Sequence, residues 1–232
     1  MNLYTFKLFG ADHVFSIILI IIFYVLFLRF HEKFGIKSNS NFFLIVLSSG
    51  IIILDLSEDI VRVLTGYYSI KKDLPLQLCS IGIYVAAYTL LTRRQTPFEL
   101  IFYWGLVGAT QAILTPDGDL FELKAFFYYS QAYHATLIFA VLWLMLKYDM
   151  RMSYNSIPKM VIITNIIVIG ISIINYLLDS NYMFLKVQPN SVSPFLMGEW
   201  PVYIIMVQVF SIILLALFIK IQDYFLSRVH SK

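Results

Sequence analysis

The sequence has few of the residues that cover soluble domains and almost none of those that crosslink small secreted ones. Only 13% of its 232 residues are charged, against about 25% in soluble domains, and there is one cysteine. A single cysteine excludes an intramolecular disulfide and a four-thiolate metal site. The net charge of +3 is small, and loop lysines and arginines account for it, so no nucleic-acid partner is expected.

Apolar residues take the place of the missing charge. Hydrophobic residues make up 59% of the chain and the mean hydropathy is +0.78, whereas soluble domains are roughly 45 to 50% apolar. Aromatic residues, at 17%, suit the lipid-facing surface and the two interfaces of a membrane protein. The composition therefore predicts an integral membrane protein.

Seven apolar segments approach the ~20 residues that cross a bilayer. They lie near residues 13–30, 42–65, 74–92, 97–115, 126–146, 157–178 and 199–221. We predict an all-α fold, a bundle of seven transmembrane helices forming one polytopic domain over residues 1–232. The first segment runs into a basic loop, so we expect no cleaved signal. We number the loops after the segments they follow, and expect loop six (residues 179–198), which contains prolines, to fold back over the bundle as a re-entrant loop.

Lysine and arginine are unevenly divided between the two sides of this bundle. Eleven lie with the C-terminus and loops one, three and five: Arg29, Lys33, Lys37, Arg93, Arg94, Lys147, Arg151, Lys159, Lys220, Arg228 and Lys232. Five lie on the other side: Lys7, Lys71, Lys72, Lys124 and Lys186. The positive-inside rule then predicts an N-terminus outside and a C-terminus in the cytoplasm.

Most polar residues of the predicted helices fall in their outer halves. The candidates for substrate binding or support are His13, Asp55, Gln77, Gln111, Asp117, Gln131, Asn181, Tyr182 and Trp200. Because polar groups at membrane depth are costly unless they face protein or water, this set indicates an outward-facing pocket. The alternative is that they only pair with one another between helices.

Two helices carry further signals. On helix two, Asp55, Glu58 and Asp59 share a face with Arg62, which predicts pairing of Arg62 with Asp59 and leaves Asp55, the deepest, as the functional acid. On helix four, small residues recur at spacings of three and four, which predicts a central helix that neighbours approach closely. These residues are Gly105, Gly108, Ala109 and Ala112.

Cys79 and His134 are the candidate catalytic pair. Cys79 follows Pro75 at a predicted helix start, where unpaired amides favour a thiolate, and His134 lies at similar depth with Ser130 and Gln131 on its face. Gln77, Asn181 or a helix-start amide would supply oxyanion donors. Alternatively, a lone cysteine is a small buried hydrophobe. A metal site of His13, His134 and the helix-two acids lacks any local ligand spacing, so no metal is predicted.

Several motifs together resemble a known family. They are LPLQLC at 74–79, GLVGATQAILTPD at 105–117, His134, and NYMFLKVQP followed by GEWPVY within 181–203. This set resembles the YwaF-like bacterial integral membrane family, which is similar to a eukaryotic transmembrane acyltransferase that remodels ether phospholipids. The resemblance implies a nucleophile and histidine pair within the bilayer, Cys79 and His134 by position, and a multi-pass location in the bacterial cytoplasmic membrane. Gln77 stands where histidine is common.

The resulting hypothesis is an acyltransferase or transacylase that acts on phospholipid or lysophospholipid at the outer leaflet. Cys79 would attack the acyl ester, His134 would accept the proton, and no cofactor would be needed. The expected partner is the membrane lipid substrate, and no protein partner is predicted. Two other classes stay open: a lipid or small-solute binding or transport protein with a polar pocket and no chemistry, and a structural assembly partner.

Overall fold

The computed structural model describes residues 4–30, 41–191, 193 and 195–230, and within these ranges the chain forms helices and loops with no strand. Seven helical rods follow one another along the chain. They are α1 (Ala11–Phe30), α2 (Asn41–Thr65), α3 (Leu78–Thr92), a fourth rod, α6 (Lys124–Tyr148), α7 (Ile157–Leu178) and α8 (Val202–His230). The fourth rod joins α4 (Gln95–Ile101), a π-helix (Phe102–Ala109) and α5 (Thr110–Leu114). The all-α prediction is confirmed for these residues.

Four stretches in the described part of the chain are long and apolar enough to cross a membrane. They are Ala11–Phe30, Lys124–Tyr148, Tyr154–Leu178 and Val202–Arg228, while α3 is apolar but only 15 residues long. These helices support an integral membrane protein. The seven-span bundle and its orientation stay predictions, and Lys33, Lys37 and Lys232 of the charge count lie outside the described residues.

The centre of the bundle is formed by α3, the fourth rod and α6. Gly82 and Gly105 let the three rods approach: a Cβ built on Gly82 would lie 3.6 Å from Leu137 Cδ2, and one on Gly105 would lie 3.5 Å from the Leu137 carbonyl oxygen. Leu137 itself is buried. The predicted central position of helix four is therefore confirmed, and its small residues act by admitting a neighbouring backbone.

Helix α3 begins four residues later than its hydropathy indicates. Leu74 to Gln77 form a non-helical lead, bent at Pro75 where the Leu76 amide donates to the Leu74 carbonyl, and Gln77 is extended with φ −75° and ψ 148°. Proline disfavours helical geometry in the residue before it, and here Pro75 itself lies outside the helix. The prediction that Pro75 opens the helix was wrong, and Cys79 is the second residue of α3.

Candidate functional site

Cys79 lies where the start of α3 meets the π-helix. Its side chain is half-buried against the core, and a Cβ built on Gly108 would lie 3.8 Å from Sγ, with no other neighbour within 4 Å. The thiol is free and makes no hydrogen bond to any residue that the structure describes. Absence of a side chain at Gly108 thus leaves room beside the thiol.

The contacts of Gly82 and Gly105 with Leu137 set the level of the three central rods. One turn from this contact, toward the start of α3, lie Cys79 on α3, Gly108 on the π-helix and His134 on α6. The hydroxyl of the neighbouring Tyr133 donates to Ser80 Oγ at 3.2 Å, which ties α6 to α3 at the same level. We call Cys79, Gly108, Tyr133 and His134 the thiol layer.

His134 is held in one tautomer. Its Nδ1 lies 2.7 Å from the Ser130 carbonyl oxygen and 3.4 Å from Ser130 Oγ. A carbonyl only accepts, so Nδ1 carries the proton and Nε2 presents a lone pair. Nε2 has no hydrogen-bond partner in the described ranges, Cys79 included. Orientation of the ring by Ser130 agrees with the expectation from their spacing, although the main contact is with its backbone.

His13 plays a different part. Its side chain is 0% exposed, Nδ1 accepts from the Phe9 amide at 3.1 Å, and Nε2 donates to the Ile113 carbonyl at 2.8 Å. Phe9 also stacks on the ring, at 5.5 Å between centroids. With both ring nitrogens engaged, His13 joins α1 to α5 and supports the site from a distance.

The other predicted polar residues of the outer halves are spread over several contacts. Gln131 is 2% exposed, and its Oε1 accepts a hydrogen bond from Ser16 Oγ at 3.3 Å. Its Nε2 is buried without a partner among the described residues. Gln111 lies one turn after Gly108 in the fourth rod, and its backbone carbonyl accepts from Thr115. Asp117 caps a short 3₁₀ turn through the Asp119 amide. Gln111 and Gln131 are thus each one helical turn from a residue of the thiol layer, and Asp117 is farther along the chain.

Loop six and the lead into α3 are joined by hydrogen bonds. Gln77 Oε1 accepts from the Met183 amide at 2.8 Å, and the Tyr182 hydroxyl donates to the Ile70 carbonyl at 2.6 Å. Asn181 closes a turn within the loop through Lys186 and Val187, and the exposed Trp200 donates from Nε1 to the Leu185 carbonyl. Tyr182, Asn181 and Trp200 therefore fix the loop, while Gln77 keeps its Nε2 unpaired among the described residues.

Asp179 anchors the beginning of loop six electrostatically. Its carboxylate lies 2.9 Å from Lys186 Nζ and 3.3 Å from Lys71 Nζ, so it links loop six to loop two. The hydrogen bond from Lys186, followed by that from Lys71, lowers the pKa of Asp179. All three side chains are substantially exposed, so this link is weak.

The predicted pairing of Arg62 with Asp59 is wrong. Arg62 instead bonds Glu58 at 2.9 Å and Glu122 at 3.0 Å, and Asp73 lies at 3.5 Å. Its guanidinium also covers the Phe126 ring at 4.0 Å. Sequence spacing along α2 could not reveal this, because two of the carboxylates come from loops two and four.

Two neighbouring acids complete this region. Burial acts to raise the pKa of Glu122, but the hydrogen bond and charge of Lys72, with the charge of Arg62, outweigh it and lower the pKa. Asp55 accepts from the Tyr84 hydroxyl at 2.9 Å, which joins α2 to α3. Asp55 is half-buried and lies apart from the Arg62 ion pairs.

Cys79 and His134 line neither of two surface cavities in the described part of the chain. An apolar groove of about 400 Å³ runs along α3 and α4, lined by Pro75, Ile81, Tyr84, Val85, Tyr88, Pro97 and Leu100. A second, of about 330 Å³, lies between the N-terminal segment, residues 116–119 and loop six. In the described ranges no three His, Cys, Asp or Glu side chains are grouped to hold a metal ion.

The sequence of this helical chain matches the model of the TMEM164 family over residues 8–221. The chain belongs to the TMEM164 family. The TMEM164 match includes the first six rods, α8 as far as residue 221, the thiol layer and loop six, and it agrees with an integral membrane protein. No curated protein and no solved structure is significantly similar to the chain.

Sequence reasoning missed two contributors to the region. Asn175, in the last turn of α7, is 1% exposed and bonds the backbone of Tyr182 on both sides. Tyr133 joins α6 to Ser80. The signal for Asn175 was available, because an amide in an otherwise apolar membrane helix needs a partner.

Proposed function

We propose that this TMEM164-family protein is an intramembrane acyltransferase that moves a fatty acyl group between phospholipid and lysophospholipid at the outer leaflet of a bacterial cytoplasmic membrane. The observation that carries the proposal is the thiol layer: a free thiol beside a glycine, and a histidine at the same level whose Nε2 is uncommitted. The resemblance of the LPLQLC and helix-five motifs to the YwaF-like family supports the same pair.

The transfer takes two balanced steps. In the first, His134 Nε2 takes the proton of the Cys79 thiol, and Sγ forms a bond to the ester carbonyl carbon. The bond from that carbon to the glycerol oxygen then breaks, and Nε2 gives the proton to this leaving oxygen. This gives a thioester and a lysophospholipid. In the second, an acceptor lysophospholipid hydroxyl gives its proton to Nε2 and attacks the thioester carbonyl. The thiolate leaves and recovers the proton.

The start of α3 offers donors for the oxyanion. The first amides of a helix have no partner within it, and Gln77 makes no side-chain cap to them. The backbone amides of Cys79 and its neighbours therefore point toward the N-terminal end of α3, where the thiol lies. Gln77 Nε2 is a further donor. Asn181, the other candidate, is engaged by Val187 and Lys186.

The groove along α3 and α4 suits an acyl chain. It extends from Pro75, in the lead to the thiol layer, to Tyr88, 13 residues on and so roughly 20 Å along the helix direction. Its lining is apolar and aromatic. A lipid tail lying there would have its ester end near the α3 start.

The test is turnover by purified protein in detergent, with lysophospholipid followed by mass spectrometry. Cys79→Ala and His134→Ala should each lower kcat/KM by about a thousandfold or more, because a nucleophile and its base act as one unit. Ser172→Ala, which alters an exposed α7 hydroxyl bonded only within its helix, is the matched control. Full activity in both variants contradicts the assignment.

A binding or transport protein is the second candidate function. It is favoured by the absence of a hydrogen bond between Sγ and His134 in the described residues, and by cavities that do not include either side chain. Hydrogen bonds of catalytic groups commonly tighten only when substrate is bound, so the acyltransferase is preferred. Stoichiometric lipid binding by wild-type protein without turnover would favour the second candidate.

A further inference from the structure

Tyr182 connects loop six to the chain that leads into α3. Its side chain is 1% exposed; its hydroxyl donates to the Ile70 carbonyl at 2.6 Å and accepts from the Leu74 amide at 3.0 Å. Leu74 lies five residues before Cys79. The bond from Leu74 therefore acts on the lead itself, where no helical hydrogen bonds hold the backbone, and the bond to Ile70 acts on the turn before it.

Asn175 holds Tyr182 in turn. Its Oδ1 accepts from the Tyr182 amide at 2.7 Å, its Nδ2 donates to the Tyr182 carbonyl at 2.9 Å, and Ser180 Oγ donates to the same Oδ1 at 2.8 Å. The side chain is buried, so these bonds have little competition from solvent. Tyr182 is thereby fixed to the last turn of α7.

The next two residues of the loop adopt an unfavourable backbone conformation. Met183 has φ 55° and Phe184 has φ 53°, in the left-handed region that side chains with a Cβ rarely occupy. Bonds from three elements hold them there: Gln77 accepts from the Met183 amide, Tyr203 donates to the Phe184 carbonyl, and Tyr182 is held by Asn175. Such geometry persists only where the surroundings determine it, and it is enriched at functional sites.

We infer that Tyr182 and Asn175 are positioning residues, which hold the lead and first turn of α3 so that the Cys79 thiol stays against Gly108. The chain of contacts runs from Asn175 through Tyr182 to Leu74 and, in parallel, from Met183 to Gln77, two residues before Cys79. Neither residue touches the thiol. The consequence for turnover rests on the proposed function, whereas the consequence for access to the thiol does not.

Thiol labelling measures the positioning directly, because Cys79 is the only cysteine in the chain. The rate of N-ethylmaleimide labelling of the full-length protein in detergent is compared for wild type, Tyr182→Phe and Asn175→Asp. Tyr182→Phe keeps the ring and loses only the two hydroxyl bonds. We expect labelling about tenfold faster, since two lost bonds favour local opening of the lead.

Tyr103→Phe is the matched control. Tyr103 is also a buried tyrosine, but its hydroxyl bonds Ser211 Oγ on α8 at 2.7 Å and contacts neither loop six nor the lead into α3. We expect labelling within twofold of wild type. Asn175→Asp keeps the acceptor for the Tyr182 amide and removes the donor to its carbonyl, so an intermediate increase is expected.

A second readout separates positioning from general loosening. In the lysophospholipid assay, Tyr182→Phe should lower kcat about tenfold with KM within twofold, while Tyr103→Phe changes neither. Equal effects of the two tyrosine variants on labelling, or no effect of Tyr182→Phe, would overturn the inference. If Tyr182→Phe is labelled faster but the wild-type protein shows no turnover, the positioning role is retained and the acyltransferase is rejected.

Discussion

Two sets of polar side chains lie toward the same end of the bundle, that of the α3 start, and differ in how far their hydrogen bonds are satisfied. His13, Arg62, Asn175 and Tyr182, which we call the anchoring set, direct their polar groups to partners on other elements. In the thiol layer, Cys79 Sγ and His134 Nε2 have no partner among the described residues. Buried polar groups normally find partners, so the first set maintains the structure and the second has capacity for a ligand.

Replacement of Arg62 should have the largest effect on stability. Arg62→Met leaves Glu58, Asp73 and Glu122 near one another without their shared cation, and loss of one partner from a buried ion pair costs about 3 to 5 kcal/mol. The free energy of unfolding is measured by denaturant titration in mixed micelles. Arg151→Met, at an exposed pair with Asp149, is the control and should cost about 1 kcal/mol or less. Equal losses would contradict an anchoring role.

The two histidines test the comparison most directly. His13→Leu leaves the Phe9 amide and the Ile113 carbonyl unpaired in a buried site, and should reduce the free energy of unfolding by about 3 kcal/mol. His134→Leu removes one contact, with the Ser130 carbonyl, and should cost about 1 kcal/mol while abolishing turnover. A reversal of these two stabilities would show that His134 is the structural histidine.

Gly108→Ala sharpens the role of the space beside the thiol. The new methyl group would lie 3.8 Å from Sγ, an ordinary contact, so stability should hold or rise slightly because alanine favours helix. Turnover should fall about tenfold as the methyl group occupies room for the acyl carbonyl. Gly82→Ala, with its nearest contact at 3.6 Å to Leu137, is the control and should retain turnover. Unchanged turnover in Gly108→Ala would mean that substrate approaches elsewhere.

The exposed link at Asp179 should give the smallest effect, and it depends on pH. Lys186 and then Lys71 lower the folded-state pKa of Asp179, so its contribution to stability is complete above the usual value of about 4 and is lost as pH falls through the folded-state pKa. Asp179→Asn should therefore melt slightly below wild type at pH 7 and converge with it in acid. Melting curves that diverge toward low pH would contradict this sign.

Hydropathy predicted the number and order of the rods because each apolar segment also needs internal backbone hydrogen bonds in a membrane. It placed the end of α8 near 221, yet the helix continues to His230. Helix formation does not require apolar residues, so a hydropathy boundary marks only where the apolar run stops. The start of α3 was misplaced for the converse reason, since the lead at 74–77 is apolar without being helical.

For the candidate site, the sequence predicted that its residues lie at one depth in the bundle, but it did not predict which hydrogen bonds they make. Matched depth along two predicted helices placed Cys79 and His134 at one level, and small residues such as Gly105 and Gly108 predicted that helix four is central. Long-range partners left no periodic signal: Tyr182 with Ile70, and Arg62 with Glu122, join residues far apart in the chain. Only the folded backbone brings such pairs together.

The π-helix lets the fourth rod hold one more residue without turning the part of the rod that follows it. A π turn contains one residue more than an α turn, so loss of a single residue between 102 and 109 would let the wide turn close into a regular α turn. The residues after the deletion would keep nearly the same facing, because one complete turn replaces another. The same deletion in the α-helical part at 95–101 would rotate everything after it by about 100° around the rod axis and turn the Ile113 carbonyl away from His13. The fourth rod thus tolerates a change of length in its π-helix that its first α-helical part does not.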